Sequence, residues 1–169
     1  MKLSIIGTGN VGLVTGACFS ARGHEVRCAD IDAEKVDQLQ RLEFHSEEPG
    51  LTDLVARNVE AGRLSFTTAT PAAVAGSEVV LLCVETPQGK DGKPDLERIR
   101  AATRTIAESI KGFTLIVVKS TVPVGTTETL RQLISSSTEE PFTIACNPEF
   151  LKAGSAVRDF REPDRVVVG

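Results

Sequence analysis

Short apolar runs alternate along the chain with longer segments in which apolar residues recur at helical spacing. The runs VVLLCV within 78–84 and LIVV within 113–118 are apolar throughout, which is typical of strands buried on both faces. The predicted strands are Lys2–Ile6, Glu25–Ala29, Leu64–Thr67, 78–84, 113–118, Phe142–Cys146 and 165–168.

The amphipathic segments predict helices, several of which end at a glycine such as Gly23 or Gly62. The predicted helices are 10–22, 33–42, 51–61, 95–111 and 126–136. Because strands and helices alternate, the pattern favours parallel βαβ units. We therefore expect a single α/β domain of the Rossmann type, with a doubly wound, mostly parallel sheet and helices on both faces.

A glycine-rich turn, GTGNVG at 7–12, lies between the first predicted strand and the first predicted helix. In the G-x-G-x-x-G pattern Gly7 permits a tight turn, Gly9 lets a pyrophosphate approach the backbone, and Gly12 lets the helix pack closely on the strand. The helix start at Asn10 and Val11 offers free N–H groups to phosphates. This context predicts a dinucleotide site rather than a ligand-free turn.

An acidic residue follows the second predicted strand, where a dinucleotide-binding fold places its ribose ligand. Asp30 stands at the carboxyl end of EVRCA, so we expect it to accept hydrogen bonds from ribose hydroxyls. A carboxylate there repels a 2′-phosphate and favours NAD over NADP. Asp32 is expected to cap the helix that begins at Ala33. Lys35 either flanks the ribose or is a solvated helix lysine, and both interpretations stay open.

Three more polar segments follow predicted strands. They carry Thr86, Thr121 and Glu149. Because parallel strands bring their carboxyl ends to one edge, these residues are expected to share a crevice with the glycine-rich turn. Local roles are also open, with Thr126 as a helix cap and Asn147 in a turn before proline.

Composition narrows the function further. The net charge is −4 and no basic stripe occurs, so no nucleic-acid partner is expected. No apolar run approaches the ~20 residues that cross a bilayer, and the N-terminus reads as a strand rather than a signal peptide, so a cytoplasmic protein is expected. With two histidines and no C-x-x-C spacing, no metal site is expected. We expect buried, reduced thiols at Cys18, Cys28, Cys83 and Cys146.

Five segments, in order along the whole chain, resemble the UDP-glucose/GDP-mannose dehydrogenase family. They are GTGNVGLVTG from residue 7, EPGL from 48, ETPQGKDG from 85, VKSTVPVGT from 118 and CNPEFLKAGSAVRDF from 146. The resemblance implies an enzyme that oxidises a nucleotide sugar, UDP-glucose first of all, from C6 alcohol to carboxylate. Such enzymes use two NAD+ in succession and a cysteine of a C-terminal domain, which carries a thiohemiacetal and then a thioester.

The resemblance also implies roles for single residues. Thr121 would order the catalytic water, and Glu149 would act as acid and base on the thioester step. The nucleotide-sugar site would be lined by Glu149, Phe150, Leu151 and Lys152. NAD would be contacted by Gly7, Gly9, Asn10, Val11, Gly12, Asp30, Lys35, Thr86 and Thr121.

Two positions depart from the family pattern. Ala153 stands where the family usually has an acid, so a contact near the nicotinamide is expected to be missing or turnover to be weakened. Glu85 stands where the family usually has a glycine, and an acid beside the cofactor is expected to alter its affinity.

The resemblance also implies a linking helix that builds the dimer, a substrate-side lysine and a C-terminal domain with the catalytic cysteine, which are expected to be absent from 1–169. We therefore expect an NAD-binding domain that binds NAD without completing the oxidation. One alternative is a free-standing NAD-binding module without catalysis, which Ala153 favours and KSTVPVGT disfavours. Another is a dehydrogenase of the 3-hydroxyacid type, which TPQGKDG and NPEFL disfavour.

Overall fold

A six-stranded parallel sheet forms the centre of the computed structural model, which describes residues 1–90 and 92–169. The strand order is β3-β2-β1-β4-β5-β6, and every neighbouring pair is parallel. The strands are β1 Lys2–Ile6, β2 Glu25–Ala29, β3 Leu64–Thr67, β4 Val79–Leu82, β5 Thr114–Val118 and β6 Phe142–Cys146. The predicted Rossmann-type fold is confirmed.

Helices cover both faces of this sheet. They are α1 Asn10–Ala21, α2 Ala33–Arg41, α3 Leu51–Glu60, α4 Thr70–Val74, α5 Glu97–Ala107, α6 Thr126–Ser135 and α7 Ala156–Arg161. Successive residues of a strand point to opposite faces. Ile5 accordingly joins the core under α1, α2, α3 and α7, whereas Ile6 joins the core under α4, α5 and α6. Burial on both sides explains why β4, VVLL, is apolar throughout.

The chain reverses its direction of sheet growth at β1. β2 and β3 are added on one side of β1, and β4, β5 and β6 on the other. Connections that diverge from neighbouring strands leave a crevice above their carboxyl ends, which is where ligands bind in folds of this kind. Both the glycine-rich turn after β1 and the segment after β4 lie at this crevice.

One predicted strand is wrong, and two short helices were not predicted. Residues 165–168 do not form a strand, and the side chains of Val166, Val167 and Val168 are exposed. Next to them, Gly169 and Cys146 exchange two backbone hydrogen bonds of 2.6 and 2.9 Å, and the Val167 carbonyl oxygen accepts from the Asn147 side chain at 2.8 Å. Helices α4 and α7 have five and six residues, too few to show a helical repeat of apolar positions.

Smaller differences concern element ends and caps. The predicted elements 78–84 and 95–111 shorten to Val79–Leu82 and Glu97–Ala107. Thr126 is not the cap of α6, because that position is taken by Gly125 in a left-handed conformation that has no side-chain capping bond. The predicted cap at Asp32 is confirmed: its carboxylate accepts the Lys35 N–H at 3.1 Å.

The cysteines are free thiols. Cys18, Cys28 and Cys83 are buried as predicted, and Cys146 is half-buried. Within 1–90 and 92–169, no group of His, Cys, Asp or Glu side chains is arranged to hold a metal ion. In the same residues, no helix is both long and apolar enough to cross a membrane.

Candidate cofactor site

The three glycines of the turn after β1 have different structural requirements. At Gly7, φ is +97°, and an added Cβ would lie 2.7 Å from the Cys83 carbonyl oxygen. At Gly12, an added Cβ would lie 1.9 Å from the Gly7 carbonyl oxygen. The packing of the protein itself therefore excludes a side chain at both positions.

Gly9 is different, because the protein does not require a glycine there. Its φ of −61° suits any residue, and an added Cβ would meet no atom within 4 Å. It is the N-cap of α1, whose first N–H groups have no partner within the helix. A methyl group at Gly9 would instead obstruct the approach of an external group to those N–H donors. This is the geometry that a pyrophosphate requires.

Two cavities meet at this turn. One has a volume of about 510 Å³ and is lined by Gly7, Asp30, Ile31, Lys35 and Ala102 among others. The second, of about 440 Å³, is lined by Asn10, Val11, Thr86, Thr121 and Glu149 among others. Both are lined by Gly9, Cys83, Val84 and Glu85, so they form one crevice with two lobes. Each lobe has a volume in the range of small-ligand sites.

In the first lobe, Asp30 is held in place by several donors. Its Oδ2 accepts the Thr8 N–H and the Thr8 hydroxyl, both at 2.7 Å, and lies 3.4 Å from the Lys35 Nζ. Its Oδ1 accepts the Asp32 N–H at 3.2 Å. Burial alone would raise the pKa of Asp30, but the Thr8 and Asp32 hydrogen bonds and the Lys35 charge outweigh it and hold the pKa below its ordinary value.

The first lobe thus has an ionised carboxylate at the end of β2. A carboxylate oxygen has about two acceptor positions, so Oδ1 keeps one for an incoming hydroxyl. Lys35 lines the same lobe as Asp30, and its contact with a ribose stays a prediction. Because its Nζ forms an ion pair with Asp30, Lys35 is not simply a solvated helix lysine.

The second lobe is held by bonds between the ends of neighbouring strands. The Thr86 hydroxyl donates to the Thr121 carbonyl oxygen at 2.7 Å. The Ser120 hydroxyl donates to the Val84 carbonyl oxygen, also at 2.7 Å. These bonds tie the segment after β4 to the segment after β5. The structure therefore brings Thr86 and Thr121 together, and Glu149 lines the same lobe, while their individual roles stay predictions.

Glu149 also borders a third cavity, of about 710 Å³, together with Phe150, Leu151 and Lys152. It therefore stands between the second lobe and the segment that was predicted to line a substrate site. One oxygen of Glu149 accepts the Leu151 N–H, which fixes the carboxylate to its own turn.

Lys119 is a buried lysine that the sequence reasoning did not single out. It is 7% exposed, lines both the second lobe and the third cavity, and donates from Nζ to the Asn147 Oδ1 at 3.1 Å. Burial lowers its pKa, while the neighbouring Cys83 and Glu149 act in the opposite direction. Its place in KSTVPVGT was the available signal, but burial of a lysine is not visible in a sequence.

The two departures from the family pattern lie in different places. Glu85 borders both lobes, as expected, and pairs with Arg98 at 3.1 Å between Oε2 and Nη1. Ala153 does not line either lobe. It borders an adjoining cavity of about 440 Å³, together with His45 and Glu48, and this cavity shares Gly9 with both lobes. Asp91, within the segment ETPQGKDG, lies outside the described residues.

Comparison with known proteins places this crevice in context. The model of the UDP-glucose/GDP-mannose dehydrogenase family, NAD binding domain, matches residues 1–169. A UDP-glucose 6-dehydrogenase of Rhizobium meliloti is 47% identical over an alignment of 171 positions. The alignment covers 100% of this chain and 39% of the relative. The chain thus spans about two fifths of the length of such relatives.

Solved structures agree with the sequence comparison. A UDP-glucose dehydrogenase from the archaeon Pyrobaculum islandicum superposes with a TM-score of 0.95 at 39% identity, covering 99% of this chain and 40% of that one. A ternary complex of GDP-mannose dehydrogenase from Pseudomonas aeruginosa gives 0.96 at 37% identity, covering 100% of this chain and 41% of that one. Relatives named for different sugars therefore share this domain almost equally.

Proposed function

Because this chain belongs to the UDP-glucose/GDP-mannose dehydrogenase family and matches its NAD binding domain, we propose that it forms the cofactor half of a nucleotide-sugar 6-dehydrogenase. The cofactor of this domain family is NAD. The observation that carries the proposal is the open space at Gly9. This residue lines both lobes of the crevice, and the anchored Asp30 lines the first of them. UDP-glucose is the first substrate to test, because relatives named for it are the most similar of those compared.

The residues fit NAD along the whole crevice. The Asp30 carboxylate would receive the adenosine ribose hydroxyls, and the N–H groups that begin α1 would receive the pyrophosphate. Thr86 and Thr121 would border the nicotinamide. When bound, NAD+ supplies a hydride acceptor, and the protein supplies orientation and electrostatics.

Glu149 is the residue that we propose to move a proton. Its carboxylate borders both the second lobe and the cavity lined by Phe150, Leu151 and Lys152, so it would lie between the nicotinamide and the sugar. A carboxylate in that place can take a proton from water in the thioester step. Thr121, in the same lobe, would orient that water.

The thiol that forms the thioester is proposed to lie outside these residues. Burial raises the pKa of the Cys83 thiol to about 12, and burial also raises the pKa of the Cys28 thiol. A thiolate is the nucleophilic form, so these buried cysteines are inert. Because residues 1–169 match the NAD binding domain of the family, we propose that they bind NAD without completing the oxidation. We also propose that the whole protein dimerises through a segment outside these residues and that it is cytoplasmic.

A titration with NADH, repeated with NADPH, tests the cofactor assignment. We expect NADH to bind and NADPH to bind at least about tenfold more weakly, because Asp30 repels a 2′-phosphate. Equal affinities would contradict the role of Asp30. UDP-glucose-dependent reduction of NAD+ by residues 1–169 alone would contradict the proposal that these residues are only the cofactor half.

The second candidate is a module that binds NAD without any catalysis, and the raised pKa values of its buried thiols are compatible with it. The gene sequence after codon 169 separates the two. A reading frame that continues into a G-x-C motif supports the dehydrogenase, and a stop codon supports the module.

A further inference from the structure

Glu48 is a buried carboxylate that connects segments far apart in the sequence. It is 6% exposed and belongs to EPGL, directly before α3. Its Oε1 accepts the Gly154 N–H at 3.0 Å and the Asn10 Nδ2 at 3.2 Å. Its Oε2 accepts the Ala156 N–H at 2.9 Å. Three donors thus converge on one carboxylate.

These donors compensate for the burial of the charge. Within 1–90 and 92–169, no lysine or arginine forms an ion pair with Glu48. A buried carboxylate without a cation is unfavourable unless hydrogen bonds satisfy it, and bonds to a charged acceptor are stronger than neutral ones. The arrangement therefore depends on Asn10, Gly154 and Ala156 being held together.

The segment 148–153 is held by hydrogen bonds at its two ends and by Leu151, which packs against the hydrophobic core. On the N-terminal side, Asn147 accepts from Lys119. On the C-terminal side, Glu48 binds Gly154 and Ala156. The backbone bonds in between are local, such as that from the Lys152 N–H to Asp159 in α7. Glu48 thus provides the polar attachment on the C-terminal side of the segment that carries Glu149 and Lys152.

We propose that Glu48 is a positioning residue that couples the phosphate-binding turn to segment 148–156 through Asn10. Asn10 begins α1, and it lines both the second lobe and the cavity that is lined by Glu48 and Ala153. A cofactor that fixes Asn10 therefore also fixes Glu48, and through it the amides of Gly154 and Ala156. This inference rests on the proposed binding of NAD.

Amide hydrogen exchange with and without saturating NAD+ tests this coupling. In the wild type, NAD+ is expected to slow exchange at Gly154 and Ala156. In Glu48→Gln, an NH2 group replaces one acceptor oxygen and the other oxygen becomes neutral, so exchange at these amides is expected to be at least about tenfold faster and no longer to respond to NAD+. Glu47→Gln, at the exposed neighbour, is the matched control and is expected to behave as the wild type.

The NADH affinity of the same variants separates coupling from a purely structural role. Coupling is reciprocal, so Glu48→Gln is expected to weaken NADH binding, whereas Glu47→Gln is not. Faster exchange in Glu48→Gln with unchanged NADH affinity and an unchanged response to NAD+ would overturn the proposal. Absence of NADH binding by the folded wild type would instead overturn the proposed cofactor function.

Asn10→Ala keeps the proposal testable if Glu48→Gln does not fold. It removes the Asn10 amide that donates to Glu48, and it leaves the Gly154 and Ala156 N–H groups bonded to the Glu48 carboxylate. Without NAD+, exchange at these amides is expected to match the wild type. At saturating NAD+, the additional protection is expected to be lost, and full protection in Asn10→Ala would overturn the role of the link.

Discussion

Alanine substitutions at Gly9 and Gly12 should separate the requirements of ligand binding from those of folding. Both residues belong to the same glycine pattern and lie within one turn of each other. An added Cβ at Gly9 meets no protein atom within 4 Å, whereas one at Gly12 would lie 1.9 Å from the Gly7 carbonyl oxygen. The same small change therefore perturbs a ligand path in one case and the packing of α1 on the sheet in the other.

The expected magnitudes follow from these distances. In Gly9→Ala, the backbone already has a conformation that alanine adopts, so the free energy of unfolding should change by less than about 1 kcal/mol. NADH affinity should fall at least about tenfold, or about 1.4 kcal/mol, because a methyl group blocks the pyrophosphate. In Gly12→Ala, removing the overlap requires α1 to shift, which should lower the free energy of unfolding by about 3 kcal/mol.

The composition of the chain suits the measurement. It contains no Trp and no Tyr, so NADH fluorescence can be titrated without protein emission that overlaps the excitation of the nucleotide. Unfolding in urea is followed by far-UV circular dichroism for the same reason. For a domain of this size, about 3 kcal/mol should also appear as a decrease in Tm of roughly 6 to 12 °C.

Either variant can refute the reasoning. Wild-type NADH affinity in Gly9→Ala would show that the pyrophosphate does not pass over Gly9. Wild-type stability in Gly12→Ala would show that the close approach of α1 to Gly7 is not required for the fold.

Three further substitutions test single side chains. The pKa of Asp30 is held below its ordinary value of 3.8, so the stability that wild type has over Asp30→Asn should be fully present above pH 3.8 and lost as the pH falls through the lowered pKa, measured by urea unfolding. The Thr15 hydroxyl is fully buried without a partner among the described residues, so Thr15→Val should stabilise the protein by about 1 kcal/mol in the same assay. Burial lowers the pKa of Lys119 below 10.5, so wild type should gain stability relative to Lys119→Met as the pH rises towards 10.5, measured by thermal unfolding.

Strands β4 and β5 were predictable because strands covered by helices on both faces carry apolar runs, here VVLL and LIVV. The same criterion was wrong for residues 165–168, where three valines indicate a strand but pairing depends on a neighbour that a sequence does not reveal. The meeting of Thr86, Thr121 and Glu149 at one edge was predictable from parallel topology alone.

The residues that were missed are those whose surroundings come from distant parts of the chain. Lys119 becomes buried against Asn147, 28 residues away, and Glu48 accepts from Gly154, 106 residues away. Propensity and periodicity describe neighbours within a few residues, so they carry no information on such contacts. The motif EPGL was visible in the sequence, but only the folded chain assigns Glu48 a physical role.

The turn after β1 is held on both sides of Gly9 by carboxylates from different elements. Asp30, at the end of β2, binds the N–H and hydroxyl of Thr8, and Glu48, before α3, binds the side chain of Asn10. Because these acids are occupied by donors, their charges are partly compensated beside a site proposed for an anionic pyrophosphate. The turn is therefore ordered before any ligand arrives, and a ligand that binds a preformed turn loses less free energy to ordering it. The open position at Gly9 lies between the two anchored residues, where that order has most effect on binding.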